Sequence, residues 1–136
     1  GKTYSNEHIH GTTEVINAVS PNYLAALTLY LENGIKDEFH NKFQEKFIPI
    51  SDSEALQELE NLVSNVNVEK EVIFRANHGS NAYTIKGVFP QDKEKMLQQI
   101  VWMKQHPEII RPKGLRGFES TSQSLNCNTV IVHIWF

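Results

Sequence analysis

The fold is decided by residues 23–31, which read YLAALTLYL and are followed by the turn sequence Glu32-Asn33-Gly34. Apolar residues fill this run almost without interruption over the length of a β-strand. Such a run without alternating polar residues is typical of a strand that is covered on both faces, as in a parallel sheet. A buried helix segment would give a similar pattern, but the turn signals on both sides favour a strand.

A second short strand is predicted at residues 72–75, which read VIFR. The strongest predicted helix lies between the two strands. Ser51 and Glu54 form a capping box at its start, and apolar residues follow at a 3.6-residue period over residues 55–66. Two buried strands joined through a helical crossover predict a parallel pair, and therefore an α/β fold.

Other elements are predicted on both sides of this pair. A first helix is expected over residues 5–19. A loop that contains Gly87 leads to a last helix, for which Pro90 is predicted as the first residue. The final apolar run, residues 130–136, predicts an additional strand at an edge of the sheet.

The composition fits one globular domain. The chain has 136 residues, of which 40% are hydrophobic and 21% are charged, so it can form a real core. Thirteen basic and sixteen acidic residues give a net charge of −3, which argues against binding to nucleic acid or to an anionic membrane surface. No apolar run approaches the roughly 18 residues of a membrane span. We therefore expect a cytoplasmic protein.

Cysteine and histidine usage argues against a metal site within this chain. The single cysteine, Cys127, cannot form an internal disulfide or supply the ligands of a cysteine-rich zinc site or iron–sulfur cluster. His8 and His10 are one residue apart, so on a helix they point to different faces. The sequence also has no phosphate-binding loop, no GxGxxG motif and no GxSxG motif.

Polar residues follow both predicted strands. In a parallel sheet, ligands bind at the carboxyl ends of the strands, where the loops converge. The candidate binding residues at these ends are Glu32, Asn33, Arg75, Asn77, His78, Ser80 and Asn81.

Two interpretations of the polar residues at the end of the second strand, residues 75–81, stay open. Arg75 could pair with a carboxylate or phosphate, and His78 could donate a proton or anchor a ligand. Asn77 and Asn81 could hold hydroxyl or amide groups of a ligand. Alternatively, Asn, Gly and Ser are the ordinary residues of a tight loop between a strand and a helix.

Several stretches together resemble a known family. They are residues 17–29 (NAVSPNYLAALTL), 74–81 (FRANHGSN), 86–87 (KG), 90–95 (PQDKEK) and 110–117 (IRPKGLRG). In order and spacing they are similar to the C-terminal half of radical S-adenosylmethionine proteins of the bacterial group labelled Fe–S oxidoreductases. There, similar strands read INAIDPNYLGALTL and FRSNHASNYLPLKG. The resemblance assigns residues 1–118 to this half and leaves residues 119–136 as an unmatched tail.

The resemblance implies a partial (β/α) barrel with parallel strands and crossover helices. Its N-terminal portion would carry a CxxxCxxC loop that binds a [4Fe–4S] cluster, and S-adenosylmethionine would bind to that cluster. These cysteines are not in this sequence, so we expect no cofactor in this chain alone and no catalysis without the other portion. The candidate residues above would then lie on the barrel edge that faces cofactor and substrate.

Two expectations about partners follow. The open sheet edges of a half barrel predict pairing with the missing N-terminal half, self-association, or coverage by the C-terminal run. Alternatively, the chain is a stand-alone α/β domain that binds a small ligand or a protein without catalysis.

Overall fold

The computed structural model describes residues 1–29, 33–43 and 47–116, and the backbone of residues 129–134. The helices in these ranges are α1 (Ser5–Val19), α2 (Asn33–Lys42), α3 (Asp52–Asn65) and α4 (Lys93–Gln105). The strands are β1 (Tyr23–Thr28), β2 (Val72–Ala76), β3 (Ile85–Phe89) and β4 (Thr129–Ile134). Short 3₁₀ turns lie at Lys2–Tyr4, Pro107–Ile109 and Lys113–Leu115. None of these helices has the length and apolar character needed to cross a bilayer.

The four strands form one sheet in the order β3-β2-β1-β4. β1 runs parallel to both β2 and β4, whereas β3 pairs antiparallel with β2. The predicted α/β fold, the parallel pair and the additional C-terminal strand are therefore confirmed. The sheet is open and mixed, so the partial barrel remains a prediction.

The core lies on one face of the sheet. Alternate residues of β2 and β3 are buried, and Phe74 and Phe89 are fully enclosed with ring centroids 5.7 Å apart. α1, α3 and α4 supply the other core side chains. The capping box predicted at Ser51 and Glu54 is present and begins α3. Its local geometry satisfies main-chain N–H groups at the helix start, so it could be read from sequence alone.

The prediction of a loop around Gly87 was wrong, because Gly87 lies in the middle of β3. An interior glycine and the nearby Pro90 both lower the apparent strand character of this segment. The glycine is needed for packing. A Cβ atom built on Gly87 would lie 2.7 Å from Met96 Sδ and 3.0 Å from Asp92 Cβ, so α4 approaches β3 here more closely than a side chain allows.

The predicted start of the last helix was also wrong. Pro90 follows a cis peptide bond and lies in a turn, and α4 begins three residues later at Lys93. Asp92 shapes this turn, because its carboxylate accepts a hydrogen bond from the Val88 N–H at 2.9 Å and its own N–H donates to the Val88 carbonyl at 2.8 Å. The turn is thus closed against the end of β3.

Replacing single glycines with alanine should change stability in opposite directions at two sites. We expect Gly87→Ala to lower the free energy of unfolding by about 1–3 kcal/mol, because the new methyl group overpacks the contact with α4. Gly11→Ala is the matched control. Gly11 lies inside α1 with open space around it, so alanine should stabilise the helix by up to about 1 kcal/mol. Urea denaturation would measure both, and an unchanged or increased stability of Gly87→Ala would contradict the packing argument.

Candidate functional site

The ends of β1 and β2 lie at the same edge of the sheet, because the two strands are parallel. The loop that follows β2, residues 77–84, passes over the end of β1. We call Thr28 together with residues 77–81 the rim. It contains four of the predicted site residues.

Asn81 joins this loop to β1. Its side chain is buried, with 4% exposed. The side-chain oxygen accepts hydrogen bonds from the Thr28 N–H at 2.7 Å and from the Thr28 hydroxyl at 2.9 Å, and the side-chain nitrogen donates to the Ala26 carbonyl at 2.8 Å. β2 pairs with β1 only as far as Ala25. Beyond Ala25, the Asn81 carboxamide therefore supplies hydrogen bonds that a neighbouring strand would otherwise make to the main chain of β1.

His78 and Ser80 form a pair within the rim. Nδ1 of His78 lies 2.8 Å from the Ser80 hydroxyl and accepts the Ser80 N–H at 3.2 Å. Because the backbone N–H can only donate, Nδ1 is an acceptor and the neutral ring carries its proton on Nε2. The Ser80 hydroxyl is also 3.5 Å from the Thr28 carbonyl. The imidazole is half-buried and has a defined orientation at the rim.

Arg111 holds the rim from the other side. Its guanidinium donates to the carbonyls of Gly79 at 2.8 Å, His78 at 3.1 Å and Asn81 at 3.4 Å, and its backbone N–H donates to the Ala82 carbonyl at 3.0 Å. No sequence signal indicated this position for Arg111, because the residue lies in a turn rich in Lys and Arg that is typical of a solvated surface. The loop is thus fixed by Asn81 on one side and Arg111 on the other.

Arg116 extends this support to α3. Its guanidinium makes a bidentate ion pair with Asp52, with N–O distances of 2.7 and 2.8 Å, and its Nε donates to the Arg111 carbonyl at 2.8 Å. The hydrogen bond from Arg116 lowers the pKa of the Asp52 carboxyl below its usual value. The segment after α4 is therefore bound both to the rim and to the first turn of α3.

The remaining predicted site residues differ in position. Arg75 does not extend to the rim, because its guanidinium donates to the carbonyls of Phe74 at 2.7 Å and Gly87 at 3.2 Å across β2 and β3. Asn77 is at the rim and exposed. Glu32 lies outside the described residues. Asn33 begins α2, and the structure describes its backbone but not its side chain.

A cavity of about 200 Å³ adjoins the rim on the side of α4. Its lining consists of Ala82, Tyr83, Thr84, Gln99, Trp102, Met103, Ile109 and Arg111. Trp102 is 49% exposed and stacks on His106, with ring centroids 4.2 Å apart. Burial raises the pKa of the Tyr83 hydroxyl, so the phenol stays neutral at physiological pH. The cavity is thus lined by an indole, a carboxamide and the guanidinium of Arg111, of which Nη1 is bonded to carbonyls of the rim.

The described residues do not form a metal site, because nowhere in them do three His, Cys, Asp or Glu side chains come together. Comparison of the chain with protein-family models, with curated proteins and with solved structures found no match.

Removing the Asn81 carboxamide should release the loop from β1. We expect Asn81→Leu to lower the free energy of unfolding by about 2–4 kcal/mol, since the Ala26 carbonyl and the Thr28 N–H each lose a partner at about 1–3 kcal/mol. Hydrogen exchange of the Thr28 amide should become faster. The matched control is Asn77→Leu, which changes an exposed residue of the same loop and should shift stability by less than about 0.5 kcal/mol. An unchanged exchange rate at Thr28 in Asn81→Leu would contradict this assignment.

Proposed function

We propose that this chain is the C-terminal part of a barrel of the radical S-adenosylmethionine type, which contributes strand ends that face cofactor and substrate. The observation that carries this proposal is the rim. Two parallel strands bring polar side chains to one edge, and both Asn81 and Arg111 hold that edge in place. A barrel enzyme places its reacting groups at the same ends of its strands.

The distribution of helices also supports a barrel wall. α1, α3 and α4 contribute to a single core on one face of the sheet. The opposite face carries Ile73, which is 40% exposed, and the exposed Lys86. In a barrel, helices cover the outer face of the strands, while the inner face meets the other strands. The exposed face would then be the inner one.

The residues of this chain do not fit the iron–sulfur cluster of that family. Three cysteines are required by the CxxxCxxC loop, and the sequence has only Cys127, which lies outside the described residues. The cluster would therefore have to be bound by a separate N-terminal portion. This chain would shape one side of the active site and contribute hydrogen-bonding groups to it. His78 and Asn77 are the rim residues best placed to form such hydrogen bonds.

Anaerobic reconstitution with iron and sulfide tests this division of roles. We expect the chain alone to show no [4Fe–4S] absorption at one cluster per monomer. Cys127→Ser is the matched control and should leave the background iron content unchanged, because one thiolate cannot hold a cluster. Stoichiometric cluster formation would overturn the cysteine argument. Separately, the DNA upstream of the Gly1 codon should encode a CxxxCxxC segment in the same reading frame. A native start codon immediately before the Gly1 codon would contradict the half-barrel proposal.

A second candidate function is the binding of a small ligand without catalysis, and the cavity beside α4 favours it. The Nη2 group of Arg111, which makes none of the hydrogen bonds to the rim, and the carboxamide of Gln99 would hold a carboxylate, while Trp102 and Ile109 offer apolar contact. This function requires neither a cluster nor a second barrel half.

Benzoate is a suitable probe, because it is a small planar carboxylate. In a Trp135→Phe variant the indole fluorescence comes from Trp102, and we expect benzoate to quench it with a dissociation constant on the order of 1 mM. Thr84→Phe should fill the cavity and weaken binding at least fivefold. Lys86→Phe adds the same side chain to an exposed position outside the lining and should leave binding unchanged. Equal quenching in all three variants would show that the cavity is not the binding site.

A further inference from the structure

Helix α1 is attached to α3 and to the residues directly after α3 by a polar contact near each of its ends. At the end of α1, the Asn17 side-chain nitrogen donates to the Asn65 carbonyl at 3.1 Å, and its side-chain oxygen accepts the Asn67 N–H at 2.7 Å. At the start of α1, the Ser5 hydroxyl donates to Oε1 of Glu58. A carboxamide does not titrate, whereas a carboxyl group gains or loses a proton. The two contacts therefore differ in their response to pH.

Glu58 lies in an unfavourable place for a negative charge. Its side chain is buried in α3, with 4% exposed, and its Oε2 atom has no hydrogen-bond partner among the described residues. A buried, unpartnered oxygen costs far more when it is ionised than when the carboxyl is neutral. Burial accordingly raises the pKa of Glu58 above its ordinary value, although the hydrogen bond from Ser5 lowers it. The carboxyl therefore favours its neutral form while α1 and α3 are packed together.

The charged groups around Glu58 largely oppose one another. The amino group of Gly1 lowers the pKa of Glu58, and the Glu54 carboxylate raises it. Lys2 is itself paired with Glu54 at 2.6 Å. In the first turn of α1, the half-buried His8 is also titratable. Burial thus remains the dominant influence on the Glu58 carboxyl.

The middle of α1 is a weak point between the two contacts. Gly11 lies inside the helix, where glycine costs about 1 kcal/mol relative to alanine. A Cβ atom built on Gly11 would meet no atom of the described residues within 4 Å, so packing does not compensate for this cost. Ile9, on one side of the glycine, and Ile16, on the other, are both buried in the core. The first half of α1 can therefore loosen separately from the second half, at the cost of exposing Ile9.

We propose that Glu58 is a proton-controlled contact that holds the first half of α1, residues 5–10, against α3. The neutral carboxyl keeps this half closed, and ionisation favours an open state in which the carboxylate reaches water. Asn17 keeps the second half attached in both states. In the open state the carboxyl has its ordinary acidity. The contribution of Glu58 to closure is therefore complete at pH values below the ordinary glutamate pKa and is lost as the pH rises through its raised pKa.

Amide hydrogen exchange, corrected for the intrinsic pH dependence of exchange, measures this opening directly. Between about pH 4 and about pH 7.5, we expect the opening constant at Ile9 to increase at least about threefold, while that at Ile16 stays constant. Carbon-13 NMR should show the Glu58 carboxyl titrating above the ordinary glutamate range.

Three variants test the assignment to Glu58. Glu58→Gln keeps the shape of the side chain but cannot ionise, so the pH response at Ile9 should vanish. Glu7→Gln is the matched control, because it removes an exposed carboxyl from the first turn of α1 and should leave the response unchanged. Ser5→Ala removes a hydrogen bond that favours the ionised form, so the midpoints of the NMR titration and of the opening should both move to higher pH.

A response that persists in Glu58→Gln would assign the opening to another group, such as His8, and would overturn the proposal. A Glu58 carboxyl that titrates at or below the ordinary glutamate value would do the same. Equal pH responses at Ile9 and Ile16 would show that α1 opens as one unit and would contradict the separation at Gly11. If Glu58→Gln does not fold, the NMR titration of the unchanged chain and the shift in Ser5→Ala decide the question.

Discussion

The carboxamide of Asn81 is the interaction on which the arrangement of the candidate site depends. Its three hydrogen bonds to Ala26 and Thr28 continue the pairing of β1 beyond the point where β2 ends. Because Asn81 lies in the loop after β2, the same bonds bring Ser80 and His78 next to the end of β1. Arg111 then binds the carbonyls of this loop from the other side. Two polar side chains thus turn an ordinary connection into a fixed rim.

Much of the fold could be predicted because its signals are local. The apolar run of β1, the capping box of Ser51 and Glu54, and the apolar period of α3 each lie within a few consecutive residues. β3 could not be predicted, because Gly87 lowers the strand signal there for a reason that only packing reveals. The residue must be small since α4 lies against it, and that constraint comes from Met96 and Asp92 in another element.

The candidate site shows the same division between local and long-range causes. The sequence correctly predicted that polar residues after β2 lie at the end of β1. The sequence could not show which groups these side chains bond to, because their hydrogen-bond partners lie far away along the chain. Asn81 and its partner Thr28 are 53 positions apart, and Arg111 and His78 are 33 apart. The sequence therefore left an anion-binding role open for Arg75, whereas the structure directs that guanidinium to main-chain carbonyls of β2 and β3.

The two edges of the sheet differ in how they could pair with a further strand. On one side, antiparallel β3 with Lys86 and the following Pro90 ends the sheet in a form unsuited to further strands. On the other side, β1 is parallel to β4 over six residue pairs, and its residues Leu24 and Ala26 are buried in the core. The sheet can therefore take a further parallel strand beside β1 but not beside β3, and β4 already takes that position.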